Sequence, residues 1–419
     1  MKERTLISSL VLAAFCVGVS AKADVVTDWN NHLLDAIRTN RTNPPMASRQ
    51  LATLHISIYD AVNGITRRHE PYRVRGNVAA SASTEAAAAA AGRRVMATFY
   101  PASSATYDAA YQATVSALGN RPDVGKGTAW GEQVAQNILA WRATDGWNAT
   151  VAAPPAAFVG DWVPTPPAFA PFLLPQWGML TCFAMTHSAQ FRPAGPPPLN
   201  SEAYALSFNE VKAYGAATNS MRTPDQSQIA LFWADGAATE TPPGHWNSIA
   251  QDVGAARGNT MEQNARLFAL LNIAMADAAI CAWDAKYTFH NWRPVTAIRN
   301  ANLDENPATE PDAAWNSFIG TPPFPDYVSG HSTFSGAAST VLALFYKTDD
   351  ISFTTGSDFL PGVFRSFTSF SAASEEAMNS RMYGGIHFRF ANEDGLASGQ
   401  DIGAWTFNRY LQPKGNRSR

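Results

Sequence analysis

Apolar residues recur at three- and four-residue steps through most of this chain, and that period commits it to helices packed on helices. In the N-terminal half the period runs through five segments, near 29–39, 47–63, 84–100, 104–118 and 127–143. Ser103, just before the fourth, is placed to act as an N-cap. The run AASASTEAAAAAAGRR looks like low complexity, yet alanine is the strongest helix former and Val95, Met96 and Phe99 supply a packing edge. It therefore reads as a small-residue helix in a tight bundle. The sequence holds no alternating strand series and no Gly-rich strand-to-helix turn, so a parallel sheet is not expected.

The period breaks at 153–200, where eleven of the chain's 27 prolines fall among Trp162, Phe169, Phe172, Leu173, Leu174 and Trp177. Proline forbids regular helix interiors, while this many aromatics argue against a solvated linker. A long ordered loop that crosses the body and lines a site is expected. Beyond it, Arg266, Leu270, Ile273, Asp277, Ile280 and Asp284 lie on one stripe of a helix over 264–287, which sets acids amid apolar residues. With 46% hydrophobic residues in 419, including 12 Trp and 23 Phe, a large core is available. The expected organisation is all-α, in two tightly joined bundle-like halves at 24–200 and 201–419.

Residues 1–23 carry Lys2 and Arg4, then an apolar run from Leu6 to Val19, then small residues at Ala21 and Ala23. This is the pattern of a secretory signal, so export to a periplasmic or extracellular space is expected. The run is shorter than the roughly 20 residues of a membrane span, and no later span is expected. Loss of three cations and one acid with the signal moves the formal charge from −3 to −5. A mildly acidic chain has no electrostatic footprint for nucleic acid, and any anion site must come from a local cluster of cations. Cys182 and Cys281 remain, too few for a disulfide framework, and are expected as free thiols although an oxidising compartment permits one bridge.

Three segments concentrate chemistry. In KYTFHNWRP six residues separate Lys286 from Arg293, which precedes Pro294; in PPFPDYVSGHSTF, Ser329, Gly330 and His331 open a helix to about Tyr346; in SRMYGGIHFRF, Arg381 lies six residues before His387. Singly each is weak, since Arg-Pro is commonly a helix-end feature and a lone His commonly packs in a core. Together they supply two guanidiniums, an ammonium, a hydroxyl, helix N-terminal amides and two imidazoles, a set suited to a tetrahedral oxyanion.

The order of these segments resembles the signature shared by type 2 phosphatidic acid phosphatases, bacterial acid phosphatases and vanadium haloperoxidases. Within that superfamily the chain is more similar to vanadium chloroperoxidases, from about Ile229 to Asn392, through FWADG, TPP, NARLFAL, PPFP and SGHSTF. A looser likeness touches the helix of His55, Tyr59 and Asp60. The resemblance implies a helical fold with its active site in the C-terminal bundle, a vanadate cofactor whose site phosphate can also occupy, and hydrogen peroxide, halide and a small organic acceptor as reactants. It implies that His387 binds vanadium, that Lys286, Arg293, Arg381, Ser329 and the Gly330 amide neutralise and hydrogen-bond the oxygens, and that His331 is the acid–base group. It further implies that Asp235 holds the second nitrogen of His331, giving a base near neutrality, and that Trp283 and Phe324 flank the halide.

The sequence departs from the pattern twice. Val328 stands where Pro is usual before the Ser-Gly-His motif, which relaxes the turn. Ala391 stands where an acid is usual four residues after the ligand His, with Asp394 one turn further as a substitute. Two other functions fit the residues: an exported acid phosphatase acting through a phospho-histidine, and an inactive phosphate or vanadate binder. A serine hydrolase is not expected, because Ser329 lacks the strand-turn-helix setting of a nucleophile elbow. The acidic stretch 304–312 reads as a solvated loop, and His290 as packing or as a further contact of the site.

Overall fold

A computed structural model describes residues 24–152 and 154–415; the expected signal segment at 1–23 lies outside the described residues. The N-terminal half holds helices α1 (Val25–Asn40), α2 (Pro44–Thr66), α3 (Thr84–Phe99), α4 (Ser104–Leu118) and α5 (Pro122–Arg142). After an irregular crossing come α6 (Glu202–Tyr214), α7 (Pro224–Phe232), α8 (Thr241–Ala256), α9 (Met261–Phe289), α10 (Pro294–Arg299) and α11 (Gly330–Tyr346). A hairpin of β1 (Phe353–Gly356) and β2 (Phe364–Phe367) then leads to α12 (Phe370–Tyr383) and α13 (Arg389–Arg409). The five periodic segments of the N-terminal half are thus the five helices. The fold is all-α as expected, with one small antiparallel hairpin, Phe353 opposite Phe367, added to the helices. Ser103 is not a side-chain cap: a short 3₁₀ turn, Pro101–Ser103, leads into α4, and the serine backbone is not extended there.

Small residues set the close helix contacts. Ala86 to Ala91 of α3 are fully buried, and α5 approaches them so nearly that a Cβ at Gly131 would stand 2.1 Å from the Ala87 carbonyl oxygen. The same device joins α11 to α13, where a Cβ at Gly399 would stand 2.2 Å from the Thr333 oxygen. That seam fixes the start of α11 against the start of α13.

Helix α9 is the axis of the molecule, packed against α2, α11 and α13. A capping box of Thr260 and Gln263 opens it. It is long and apolar enough to cross a membrane by composition, which no later segment was expected to be, and 94% of its most apolar stretch lies inside the protein. The acids of its stripe hold the crossing loop. Asp277 accepts the amides of Phe183, Ala184 and Met185, each at 2.6 Å, and Asp284 accepts from Ser188 and Arg192. In α2, Asp60 likewise accepts the amides of Tyr72, Arg73 and Val74. Burial lifts both Asp60 and Asp277 to about 6, against the pull of their amide donors. Cys182 and Cys281 are both free thiols.

Candidate active site

Four chain segments meet at one cavity of about 490 Å³, walled by Trp283, Phe324, Gly330, His331, Arg381, His387 and Asp235. Each arrives for a local reason. Trp283 and Lys286 occupy the last turns of α9, which ends at His290 in the left-handed region. Arg293 is the residue before Pro294, whose fixed φ starts α10. Ser329 is the N-cap of α11, its hydroxyl accepting from the Ser332 amide and hydroxyl, so its own proton is left to donate. Arg381 lies in the last turn of α12, and His387 just ahead of α13. The crossing loop closes the wall through Leu173, whose amide donates to the Pro323 carbonyl and whose carbonyl accepts from Trp283 Nε1 and the Tyr287 hydroxyl.

Lys286, Arg293 and Ser329 sit behind the cavity wall, completely buried. Arg293 is fixed by Nε to the Phe324 carbonyl and by Nη1 to the Ile386 carbonyl, both at 2.7 Å, and Nη1 also meets His387 Nε2 at 3.1 Å. Arg381 donates through Nη1 to the Trp233 carbonyl. Four buried nitrogens of the site are left without hydrogen-bond partners: Arg293 Nη2, Arg381 Nε, His331 Nε2 and His387 Nδ1. Burial pulls the guanidinium of Arg293 down to about 10 and that of Arg381 to about 9, so both stay charged at neutral pH. Trp283 and Phe324 pack with ring centres 4.9 Å apart, and the Lys286 ammonium lies 4.8 Å over the Phe324 ring.

Four expectations need correction. Asp235 does not hold His331. It faces His245 Nδ1 at 3.3 Å, aimed there by a left-handed backbone at φ 43°, and the His331 ring instead meets the Ala234 backbone. His331 is therefore no base near neutrality: burial, then Arg381, hold its pKa well below the usual histidine value, and the ring is neutral. Burial works against the charge of His245 as well, yet Asp235 and Glu240 outweigh it and raise its pKa. Lys286 donates to the carbonyls of Pro325, Asp326 and Val328, so it acts on an anion through its field rather than through a free N–H. Burial and Arg293 lower its pKa. Asp394 does not stand in for the acid missing at Ala391, because it accepts from Tyr327 at 2.7 Å. His290 is packing, stacked on Phe172 and 3.8 Å from Asp161.

One residue that sequence reasoning passed over is Asp326, in PPFPD. Its carboxylate, completely buried, lies 2.8 Å from His387 Nδ1 and 3.8 Å from Arg293 Nη1. The oxygen stands off the ideal N–H direction, so this is a close charged contact rather than an aligned hydrogen bond. Burial raises this acid to about 7 against the pull of Arg293 and Lys286. Its only sequence signal is an acid inside an otherwise apolar, Pro-rich motif.

A family model described as the VCPO second helical-bundle domain matches residues 266–414. The vanadium chloroperoxidase of Curvularia inaequalis is 26% identical over 404 residues, covering 76% of this chain; the chain spans 65% of that relative's length. A solved structure, that of the first bacterial vanadium-dependent iodoperoxidase, superposes with a TM-score of 0.81 at 29% identity, over 93% of this chain and 97% of the other. A bacterial vanadium-dependent chloroperoxidase in its holo form shares the fold with a TM-score of 0.65 at 17% identity, over 87% and 92%. The likeness drawn from short motifs thus extends over nearly the whole chain: it is similar to the vanadium haloperoxidases, and their second helical bundle corresponds to its residues 266–414.

Proposed function

We propose that this chain oxidises halide with hydrogen peroxide at a vanadate held by His387 and the surrounding cations, yielding a hypohalous-acid-type halogenating agent. The observation that carries the proposal is the set of unpartnered buried donors: Arg293 Nη2 and Arg381 Nε stand beside His331 Nε2 and His387 with no protein acceptor. A buried donor without a partner costs about 1–3 kcal/mol, more when charged, so a cluster of them marks a place for an acceptor-rich anion. Vanadate fits the donor set because it takes an imidazole as a fifth ligand while its oxygens take the cations.

Bound vanadate supplies a Lewis acid that makes peroxide electrophilic toward halide. The residues do the remainder. Arg293 and Arg381 bind and orient the oxygens, the Gly330 amide adds a donor at the N-terminus of α11, and Lys286 adds positive field from behind. His331, neutral with a free Nε2, takes a proton from incoming peroxide once the charge of the bound anion offsets the fields of Arg381 and Lys286 that help hold its pKa down, and returns it to the oxygen that leaves as water. In the overall balance, peroxide, halide and one proton give hypohalous acid and water; the halide loses two electrons and the O–O bond is broken. Trp283 and Phe324 exclude water from the side where halide and a small organic acceptor approach. Phosphate, with the same four-oxygen shape, competes for the cage.

In the same proposal residues 1–23 direct export, supported by their charged, apolar and small-residue order. The test adds vanadate, bromide and peroxide to the purified protein lacking residues 1–23 and follows halogenation of a phenolic dye, with phosphate release from a phosphomonoester measured in parallel. Vanadate-dependent halogenation is expected. Phosphate release without halogenation would overturn the proposal in favour of an acid phosphatase.

A further inference from the structure

We propose that Asp326, from the loop ahead of α11, is the positioning residue that sets the tautomer and direction of His387, a task its own following helix leaves undone. The inference rests on the oxyanion-site reading above but is argued from separate contacts. Arginine has only donors, so the 3.1 Å contact between Arg293 Nη1 and His387 Nε2 requires Nε2 to be the bare nitrogen. The ring proton then belongs on Nδ1, and the carboxylate of Asp326 faces that nitrogen at 2.8 Å.

The alternatives on α13 are closed. Ala391 is completely buried with no polar side chain, its carbonyl taken by the Ser329 amide, and Asp394 is held by Tyr327. Asp326 itself is clamped from both sides of its backbone, its amide donating to the Asn291 carbonyl at 2.9 Å and its carbonyl accepting from Lys286 at 3.0 Å. One residue therefore ties Lys286, Arg293 and His387 together. A carboxylate on Nδ1 leaves Nε2 bare and more basic, which a vanadium–nitrogen bond needs and simple anion binding does not.

That difference supplies a test. Removing a buried negative charge should strengthen anion binding on electrostatic grounds alone. If Asp326 orients His387, Asp326→Asn instead weakens vanadate binding by about 10- to 100-fold, the scale set by loss of a ligand's outer partner. Phosphate, which forms no lasting bond to His387, should bind as tightly as before or tighter. Asp326→Glu should restore part of the vanadate affinity. Nitrogen-15 spectra of histidine-labelled, anion-free wild-type protein, with His387 assigned from His387→Gln, should show the Nδ1–H form. A wild-type Nε2–H form, unchanged vanadate affinity in Asp326→Asn, or equal loss of vanadate and phosphate affinity would overturn the inference. The tautomer measurement needs no variant of Asp326 to fold, and it decides the role of Asp326 even if the wild-type protein binds no vanadate, a result that would sink the proposed function instead.

Discussion

Arginines are buried in clusters in both halves of the chain, with different outcomes. In the N-terminal half, Arg49 Nε and Arg142 Nη2 converge on Asp145 at 2.7 and 2.6 Å, while Arg49 Nη2 donates to the Arg142 carbonyl and Arg142 Nη2 also to that of Thr181. The two nitrogens of Arg142 left over belong to a guanidinium 3.8 Å from the Phe183 ring and 4.5 Å from that of Trp141, whose π faces attract the charge. In the C-terminal half, Lys286 and Arg293 share one buried carboxylate, Asp326, Arg381 has only the longer-range pull of Asp235, and the spare donors of the two arginines lie at a cavity. A buried cation closed off by local acid, carbonyl and ring is a brace. A buried surplus of cations facing open space is incomplete without an anion from outside.

The sharpest way to break this comparison is to remove one imidazole at a time. His387→Ala should abolish vanadate-dependent halogenation, whereas His331→Ala should lower kcat by about 10²- to 10⁴-fold with vanadate affinity preserved. Equal loss of binding in both, by equilibrium dialysis, would contradict the roles given to them. Next in size, Asp145→Ala leaves Arg49 and Arg142 buried without a counter-charge and should cost about 3–5 kcal/mol in denaturant unfolding. The folded fraction should keep its vanadate affinity; a large loss there would mean that the two clusters are not independent.

Arg293→Lys replaces a planar fork by a point charge and gives up one or two charged hydrogen bonds, so vanadate and phosphate affinity should both fall by about 10- to 100-fold. A neutral outcome would show that only charge matters at that position. The smallest effect concerns a third way to bury a basic group, which is to discharge it. His55 bonds Asn30, stacks on Phe268 at 4.9 Å and is pulled to about 3 by burial. The unfolded chain binds this proton near pH 6.5 and the folded chain does not, so its contribution to stability is present above about 6.5 and falls as pH drops toward 3. Between pH 7 and 5 the loss is about 1–2 kcal/mol, and His55→Gln should flatten the pH dependence of unfolding by that amount.

The helices and the site segments were legible because both leave local traces. A 3.6-residue period marks the five N-terminal helices and α9, and Lys286–Arg293, Ser329–His331 and Arg381–His387 keep fixed spacing within short stretches. The hairpin was not legible, since four residues in each of β1 and β2 are too few to display an alternation. Nor was the partner of His387, because Asp326 lies 61 residues away along the chain and only the packing of the loop ahead of α11 brings them together. Asp235 was misassigned for the converse reason. A left-handed backbone at one residue redirected its side chain to His245, ten positions on, and periodicity carries no sign of such a turn. The glycine seam of α13 was visible as Gly395, Gly399 and Gly403, yet its partner helix could not be named from spacing alone.

The central place of α9 bears on the order in which the molecule can assemble. Helix α2 and the crossing loop both close against residues 261–289, so a growing chain that ends before them has apolar faces with no partner and three loop amides with no acceptor. Such contacts between distant stretches form late and slowly. The seating of the N-terminal half against α9 must therefore wait until the chain has been synthesised past its midpoint.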